Sequence, residues 1–401
     1  MTVAIIGGGA AGMTAAIAAA RGGARVLLLE RGARLGRKLA VTGNGRCNLT
    51  NEAAAPERYH GEDPAFVRPA LAALDAAATR RFFRGLGLVT VAEPSGRVYP
   101  HSDQAGSVVD VLRFAVAESG VEVRTAFEVQ QVRREAGGFA VISAGETLRC
   151  DRLIVACGGA AGTRAGGTKA GYALLQSLGH SCTALYPSLV QLKTDNAFTR
   201  PLKGVRADAA VTVLADGRPV AESAGEVQFT DYGVSGPAVF DVSRAAATAA
   251  GPVTLRLDLM RELTAEELVD IMTERTAGGR TLEDLLTGVL HNRLGRTVIA
   301  ACGYKLTAPA GSLRAEDIRR IAGAVKRREL TVTGTMGMDG AQVTAGGIRT
   351  AEFDAATMES RLVPGLYAAG EVLDIDGDCG GFNLQWAWSS GYAAGSAAAK
   401  E

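Results

Sequence analysis

The chain has 401 residues, enough for two to three domains, and its 43 Lys and Arg against 42 Asp and Glu leave a formal net charge of +1. A charge this close to balance argues against nucleic acid or an anionic membrane as an obligate partner. Hydrophobic residues make up 47% of the chain, which excludes a disordered protein, but glycine is in excess at 51 residues. The glycine surplus reflects either composition bias or many positions at which the backbone passes close to another group.

No apolar run approaches the roughly 18 residues that cross a bilayer. Residues 1–6 carry no basic leader, so we expect neither a membrane span nor a signal peptide. The six cysteines form no Cys-x-x-Cys pair, which predicts neither a metal site nor a disulfide framework. We therefore expect a reduced, cytoplasmic setting.

The first motif is a glycine-rich turn between a predicted strand at 3–6 and a helical stretch at 13–21. A second strand covers 25–29 and ends at Glu30. The turn has the pattern Gly-x-Gly-x-x-Gly at Gly7, Gly9 and Gly12. In this βαβ setting, with an acidic residue about 20 positions further on, the pattern predicts a dinucleotide site.

Each position of this motif has a physical role. Gly7 allows the tight turn, Gly9 lets a pyrophosphate approach the backbone, and Gly12 allows the helix to pack closely on the strand. The free N–H groups and the positive end of the helix dipole face the phosphates. A carboxylate at Glu30 suits both ribose hydroxyls of an adenosine, which favours FAD or NAD over NADP at this site.

The loop at 35–48 bears on the choice between FAD and NAD. It contains Leu-Gly-Arg-Lys at 35–38 and Thr-Gly-Asn-Gly-Arg-Cys-Asn at 42–48, a composition unsuited to a core element. Its N–H groups could line a ribityl chain and the edge of an isoalloxazine, which favours FAD. A solvated loop without a cofactor role stays the alternative.

The middle of the chain predicts a meander of strands at 122–125, 128–133, 139–143 and 153–156. Cys157 then stands where a second nucleotide fingerprint would need its first glycine, so we expect a single dinucleotide site. Strands at 190–192, 209–214, 219–222, 226–230 and 253–257 suggest a small barrel. A capping box at Thr264 and Glu267 begins a helical part, with further helices near 282–286, 289–301 and 315–326.

The C-terminal segment predicts a strand that stops at Gly370 and Glu371, a turn-rich loop, and a helix over 382–400. Glu371 could bond ribityl hydroxyls. The N–H groups at 381–384 could face the flavin pyrimidine, where negative charge gathers on reduction. The alternating acids at 374, 376 and 378 resemble a calcium loop but lack its closing Glu, so a solvated loop is the alternative.

The stretches 36–51, 225–237 and 341–391 closely resemble the BaiN/YhiN-like flavoproteins, which include aminoacetone-oxidase-like and NAD(P)/FAD-dependent oxidoreductases. The resemblance implies a non-covalently bound FAD and an α/β fold: a single Rossmann-type FAD-binding domain split by an insert made of a small β-barrel and a helical subdomain. We expect the FAD-binding domain at 1–184 and 336–401, the barrel at 185–260 and the helical part at 261–335. The motifs and the resemblance together give the predicted cofactor-binding residues Gly7, Gly9, Ala11, Gly12, Glu30, Arg31, Lys38, Thr42, Gly43, Arg46, Cys47, Asn48, Val129, Gly158, Gly370, Glu371, Gly381, Asn383 and Leu384.

Two segments depart from the family pattern. Asp231 stands where the family commonly has histidine in the motif Phe-Thr-x-x-Gly-x-Ser-Gly-Pro. Residues 162–171 replace a stretch that usually carries an acid before its glycine. A role for that histidine, and any transfer of function to 162–171, are therefore in doubt.

Three functions agree with these motifs. The first is a reductase or dehydrogenase that moves a hydride through the flavin N5 to or from a small organic or steroid-like substrate, with NAD(P)H as a transient donor. The second is an amine oxidase that passes electrons from an aminoacetone-like substrate to oxygen. The third is a flavin-binding or RNA-associated protein without turnover. Weak candidates for a catalytic group are His101, Cys47 and Cys379, and the oligomeric state is open.

Overall fold

The fold is described from a computed structural model that covers residues 1–400. The strands are β1 (Thr2–Ile6), β2 (Arg25–Leu29), β3 (Thr50–Asn51), β4 (Tyr59–His60), β5 (Thr90–Ala92), β6 (Arg97–Pro100), β7 (Glu122–Arg124), β8 (Gln131–Glu135), β9 (Gly138–Ser143), β10 (Glu146–Cys150), β11 (Arg152–Val155), β12 (Tyr186–Ser188), β13 (Leu192–Thr194), β14 (Arg206–Ala215), β15 (Arg218–Phe229), β16 (Gly233–Ser235), β17 (Val253–Asp258), β18 (Arg328–Thr335), β19 (Val343–Ala345), β20 (Leu366–Ala368) and β21 (Asp376–Gly377). The helices are α1 (Ala10–Arg21), α2 (Arg68–Ala73), α3 (Ala76–Gly85), α4 (Ala105–Glu118), α5 (Ala170–Ser177), α6 (Pro237–Thr248), α7 (Ala265–Thr276), α8 (Asn292–Ala301), α9 (Ala315–Lys326), α10 (Gly337–Gly340) and α11 (Phe382–Ala398).

Contacts divide the chain into two units, Met1–Tyr186 with Gln342–Glu401, and Pro187–Ala341. The first unit centres on a five-stranded parallel sheet in the order β20-β11-β1-β2-β7. Ile5 of β1 pairs with Leu28 on one side and Ile154 on the other. Strands β1 and β2 are buried along almost their whole length because they carry apolar side chains on both faces. The predicted Rossmann-type α/β fold is confirmed.

Helices α1 and α11 pack against each other through small residues. A Cβ added at Gly391 would stand 2.4 Å from the Ala11 carbonyl oxygen, and one at Gly395 would stand 2.2 Å from that of Ala15. Only glycine leaves room for this approach. Part of the glycine surplus therefore serves helix packing.

The first unit also contains three small antiparallel sheets, in the orders β10-β9-β8, β3-β6-β5 and β21-β4. The meander prediction missed β10, and it began β8 three residues early because residues 126–130 form an extended loop outside the ladder. Strand β10 was missed because its Glu-Thr-Leu-Arg-Cys sequence is mostly polar and exposed.

The second unit contains a closed barrel in the order β13-β16-β15-β14-β17-β18. Two predicted strands, 219–222 and 226–230, form the single long strand β15, in which Gly225 passes through φ +142° opposite Ala209. Residues 328–335, which the sequence-based division placed in the helical part, form β18 and pair with both β13 and β17. The barrel therefore needs a strand that follows the helices in the chain.

Helices α7, α8 and α9 of this unit lie between β17 and β18 in the chain. The capping box is present, because the Thr264 hydroxyl accepts the Glu267 N–H and the Glu267 carboxylate accepts the Thr264 N–H. Helix α9 has the predicted bounds, whereas the predicted helix at 282–286 is a single 3-10 turn, Leu282–Asp284. Helix α6 was not predicted, although Pro237 at its first turn is a start signal.

No helix within residues 1–400 is both long enough and apolar enough to span a membrane.

Candidate cofactor site

The glycine turn between β1 and α1 contains positions where packing leaves no room for a Cβ and one position with free space around it. A Cβ at Gly7, whose φ is +111°, would stand 2.3 Å from the Ala156 carbonyl oxygen, and one at Gly12 would stand 1.8 Å from that of Gly7. A Cβ at Gly9 would meet no atom within 4 Å. Gly7 and Gly12 are thus required by packing, while Gly9 leaves an open approach to the first turn of α1.

Glu30 follows β2 and faces this turn. Its Oε2 accepts the Gly8 N–H at 2.8 Å, and its Oε1 accepts the Gly32 N–H at 2.6 Å. The carboxylate therefore holds the glycine turn against the end of β2, and each oxygen keeps a lone pair for a further donor. The Phe127 N–H donates to the Glu30 carbonyl, and Val129, two residues further along the chain, is buried.

The loop at 42–48 is shaped by unusual backbone angles. Gly43, Asn44 and Cys47 all have φ between 56° and 59°, and a Cβ at Gly43 would stand 2.7 Å from the Asn48 nitrogen. The Thr42 hydroxyl donates to the Leu39 carbonyl at 2.7 Å, and the Thr42 carbonyl accepts the Cys47 N–H. Left-handed conformations at non-glycine residues cost energy and concentrate at ligand sites.

Glu371 and Lys38 form an ion pair at 2.8 Å that joins the two predicted segments. The other Glu371 oxygen accepts both the N–H and the hydroxyl of Thr344 at 3.0 Å. Gly159 lies against the same carboxylate, since its Cβ would stand 2.3 Å from Oε1. Thr344 was not predicted, because its partners are distant in the sequence.

Helix α11 begins beside the 42–48 loop. Gly381 caps it with φ +102°, and a Cβ there would stand 2.8 Å from Asn48 Oδ1. Gly370 is held to the same helix by the Trp386 indole and the Ser390 hydroxyl. The turn, the loop and the C-terminal segment are thus gathered within one unit.

These residues fit an FAD on three observations. Asn48 Oδ1 is buried without a hydrogen-bond partner among residues 1–400, and it would accept the single N–H of a flavin pyrimidine. The first turn of α11 presents N–H groups at Asn383 and Leu384 that helices leave unpaired. The turn at Gly9 is open for a pyrophosphate.

Two predicted side chains are engaged elsewhere. Arg46 pairs with Asp103 and with Glu93, and its guanidinium lies 4.0 Å from the Tyr99 ring centroid. The Asn383 side chain bonds the N–H and carbonyl of Gly377 at 2.8 Å each, which closes the loop before α11. Only the backbone of Asn383 remains for a cofactor.

The three catalytic candidates differ in their exposure. His101 is exposed on the turn after β6. Cys47 is fully buried, and burial raises the pKa of its thiol to about 12, so it stays protonated. Cys379 is half-buried and forms no disulfide.

The acidic loop is not solvated, because Asp374 and Asp376 are 2% and 1% exposed. Asp374 accepts the Glu62 N–H. Within residues 1–400 no group of His, Cys, Asp and Glu could hold a metal ion. In the second unit, Asp231 pairs with Lys203 at 2.7 Å on the surface.

Arg31, Arg37 and the segment 158–169 form a further cluster in the first unit. Arg31 Nη2 donates to the Gly166 carbonyl at 2.7 Å, and Arg37 Nη2 donates to the Arg164 carbonyl at 2.8 Å. Gly158 begins the segment with φ +71° and open space at its Cβ position. Sequence reasoning placed Gly158 among the cofactor-binding residues and assigned no role to the rest of this glycine-rich stretch.

A buried polar cluster that sequence reasoning missed lies at His180. Its Nδ1 donates to Glu352 at 2.8 Å, and its Nε2 accepts the Ser360 hydroxyl at 3.0 Å. Ser360 Oγ also accepts the N–H of Val363 at 2.8 Å. Burial lowers the pKa of His180, and these bonds match the neutral ring.

The family model described as HI0933-like protein Rossmann domain matches residues 1–397. The chain belongs to this family. This confirms the BaiN/YhiN-like resemblance and the prediction of an enzyme, an FAD-dependent oxidoreductase.

The chain is also similar to individual members and structures. It is 41% identical to 3-dehydro-bile acid delta(4,6)-reductase of Clostridium scindens, over 99% of both chains. It is 31% identical to ribosomal RNA dihydrouridine synthase of Escherichia coli, over 97% of this chain and 96% of that one. An open flavocytochrome c3 fumarate reductase covers 99% of this chain and 78% of its own at 16% identity and a TM-score of 0.50, a likeness of fold.

Proposed function

We propose that this HI0933-like protein reduces a carbon–carbon double bond conjugated to a carbonyl group in a small, steroid-like substrate, with NAD(P)H as the electron donor. The observation that carries the proposal is 41% identity over 99% of both chains to a reductase of an unsaturated bile acid. Dihydrouridine is uridine with two hydrogens added across a double bond conjugated to a carbonyl. The names of both curated relatives therefore describe one type of reduction.

The balance of the reaction is simple. The donor is oxidised to NAD(P)⁺, the β carbon of the substrate gains a hydride, and the α carbon gains a proton from solvent or a protein acid. When bound, FAD supplies the flavin N5 as the carrier of the hydride. The task of the protein is therefore orientation and electrostatics.

Residues of the first unit support this task. The unpaired N–H groups at the start of α11 would stabilise negative charge on the pyrimidine of a reduced flavin bound there. Glu371 is fixed by Lys38 and Thr344, so its position does not depend on the flavin. Asn48 Oδ1 is a buried acceptor that would hold the flavin ring in one orientation.

The proposal is tested with the FAD-loaded protein under anaerobic conditions. NADH or NADPH should bleach the flavin absorbance, and a 3-oxo steroid acid with a conjugated double bond should restore it and yield the saturated product by mass spectrometry. No bleaching with either donor would refute the proposal. Peroxide formed with an amine such as aminoacetone would instead identify an oxidase, and restoration by uridine-containing RNA alone would identify an RNA substrate.

A further inference from the structure

The glycine-rich segment 158–169, which we call the strap, is held in place at both of its ends. Arg31 and Arg37 donate to the carbonyls of Gly166 and Arg164. At its other end, the Ala161 N–H donates at 2.9 Å to the Thr344 hydroxyl, which itself bonds Glu371. The strap therefore connects the region after Glu30 with the region around Glu371.

The strap is also ordered internally. The Thr168 N–H donates to the Gly159 carbonyl, and the Gly167 N–H donates to the Gly162 carbonyl. A Cβ at Gly167 would stand 2.2 Å from the Ala161 carbonyl oxygen. The glycines thus allow a folded loop with an ordered backbone, from which its side chains project.

The strap and the loop after Glu30 carry an excess of positive charge. Arg31, Arg34, Arg37, Arg164 and Lys169 are all exposed, and within residues 1–400 none of them forms an ion pair. The first unit pairs many of its other arginines with acids, as Arg25 and Arg124 pair with Glu122. Like charges gathered without a counter-charge repel each other, so this surface is suited to an anion.

The neighbouring carboxylate of Glu30 offsets one of these five positive charges and forms an ion pair with none of the arginines. Glu30 precedes Arg31, and its two oxygens accept backbone N–H groups of Gly8 and Gly32. Arg31 and Arg37 each donate from one nitrogen to a carbonyl, and their other N–H groups remain available as donors. Guanidinium groups held in this way are pre-organised for phosphate oxygens.

We propose that the strap, together with Arg34 and Arg37, binds the adenosine 2′-phosphate of NADPH, which makes NADPH rather than NADH the preferred donor. The inference rests on the proposed function, because it names the donor of that reaction. Arginines near a ribose accommodate a 2′-phosphate in NADP-dependent proteins, and the chain has no second glycine fingerprint that would give the donor its own Rossmann site. RNA fits less well, because residues 31–37 and 158–169 contain no aromatic side chain on which bases could stack.

The test uses the FAD-loaded protein and 2′,5′-ADP as a redox-inert probe, with binding measured by calorimetry. The variant R34Q/R164Q/K169Q removes three charges and leaves both arginine–carbonyl bonds intact, since these involve other side chains or the Arg164 backbone. The matched control R81Q/R84Q/R133Q removes three exposed charges, none of them in an ion pair among residues 1–400. We expect the first variant to weaken 2′,5′-ADP binding about tenfold to a hundredfold and the control to change it less than about twofold.

Flavin reduction separates the two proposals. We expect wild-type protein to be reduced by NADPH with a KM at least about tenfold below that for NADH, and the first variant to lose this preference while flavin content stays unchanged. Equal KM values with no binding of 2′,5′-ADP, or the same loss in the control variant, would overturn the inference and leave the reductase proposal standing. No reduction by either donor would refute the reductase proposal itself.

Discussion

Replacing Gly9 by alanine tests whether the glycine turn is open for a phosphate. Gly9 has φ −86° and ψ −164°, angles that alanine adopts freely, and its added Cβ would meet no protein atom. We therefore expect the free energy of unfolding of the apo protein to change by less than about 1 kcal/mol. In the FAD complex the methyl group would occupy the approach of the pyrophosphate, at a cost of about 1–3 kcal/mol, which raises the Kd for FAD about fivefold to 150-fold.

The assay is titration of apo protein with FAD, followed by flavin fluorescence, together with thermal unfolding of each variant. Gly106→Ala is the matched control, because Gly106 is exposed on α4 with open space at its Cβ position. Gly12→Ala should instead destabilise the fold, since its Cβ would stand 1.8 Å from the Gly7 carbonyl oxygen. A G9A protein that binds FAD within about twofold of wild type would refute the reasoning, as would one that unfolds like G12A.

Three further expectations concern the first unit. Glu30→Ala leaves the N–H groups of Gly8 and Gly32 without their acceptor, and we expect FAD binding to weaken by about 1–3 kcal/mol; flavin content unchanged after dialysis would show that the adenosine lies elsewhere. Glu371→Gln removes the charge opposite Lys38, whose side chain is 30% exposed. We expect the free energy of unfolding, measured with urea, to fall by about 1–2 kcal/mol. An unchanged urea midpoint would show that the ion pair does not stabilise the fold. Burial lowers the pKa of His180 below its unfolded value, so the unfolded state takes up more protons as the pH falls below about 6.5 and stability is lost in that direction. The fall in Tm between about pH 7 and pH 5.5 should be smaller in His180→Gln, and an equal fall would exclude this residue as its cause.

The nucleotide-binding elements could be predicted because their signals are local. Strand β2 has the predicted bounds, since a continuous apolar run ends at a charged residue. The glycine pattern also predicted which positions the packing requires, and the distances at Gly7 and Gly12 agree with those roles. Local turn chemistry likewise predicted the capping box at Thr264.

Features that depend on contacts between distant residues could not be predicted. The strap is held by Arg31 and Arg37, whose partners lie far along the chain, and no local sequence pattern predicts such bonds. The same holds for Thr344, whose role depends on Glu371. Strand β18 was assigned to the helical part because barrel closure is a property of the whole sheet and not of the segment.

The predicted roles of Arg46 and Asn383 were affected by the same limit. The family resemblance placed both residues at the cofactor, but the direction of each side chain is decided by the partners that folding brings within reach. Arg46 meets Glu93, Asp103 and the Tyr99 ring, and Asn383 meets the Gly377 backbone. Their backbone positions are compatible with the site, and their side chains hold the surrounding loops.

The central claim, that this protein transfers a hydride from NAD(P)H to a conjugated double bond, is tested most directly by isotope transfer. FAD-loaded protein is mixed anaerobically with deuterium-labelled NADPH and an unsaturated 3-oxo steroid acid. The position of the deuterium in the product is then determined by mass spectrometry and NMR. The account predicts a saturated product in which the β carbon has gained deuterium that came from the labelled donor and the α carbon has gained a solvent proton. Recovery of unreduced substrate together with fully reduced flavin would contradict it.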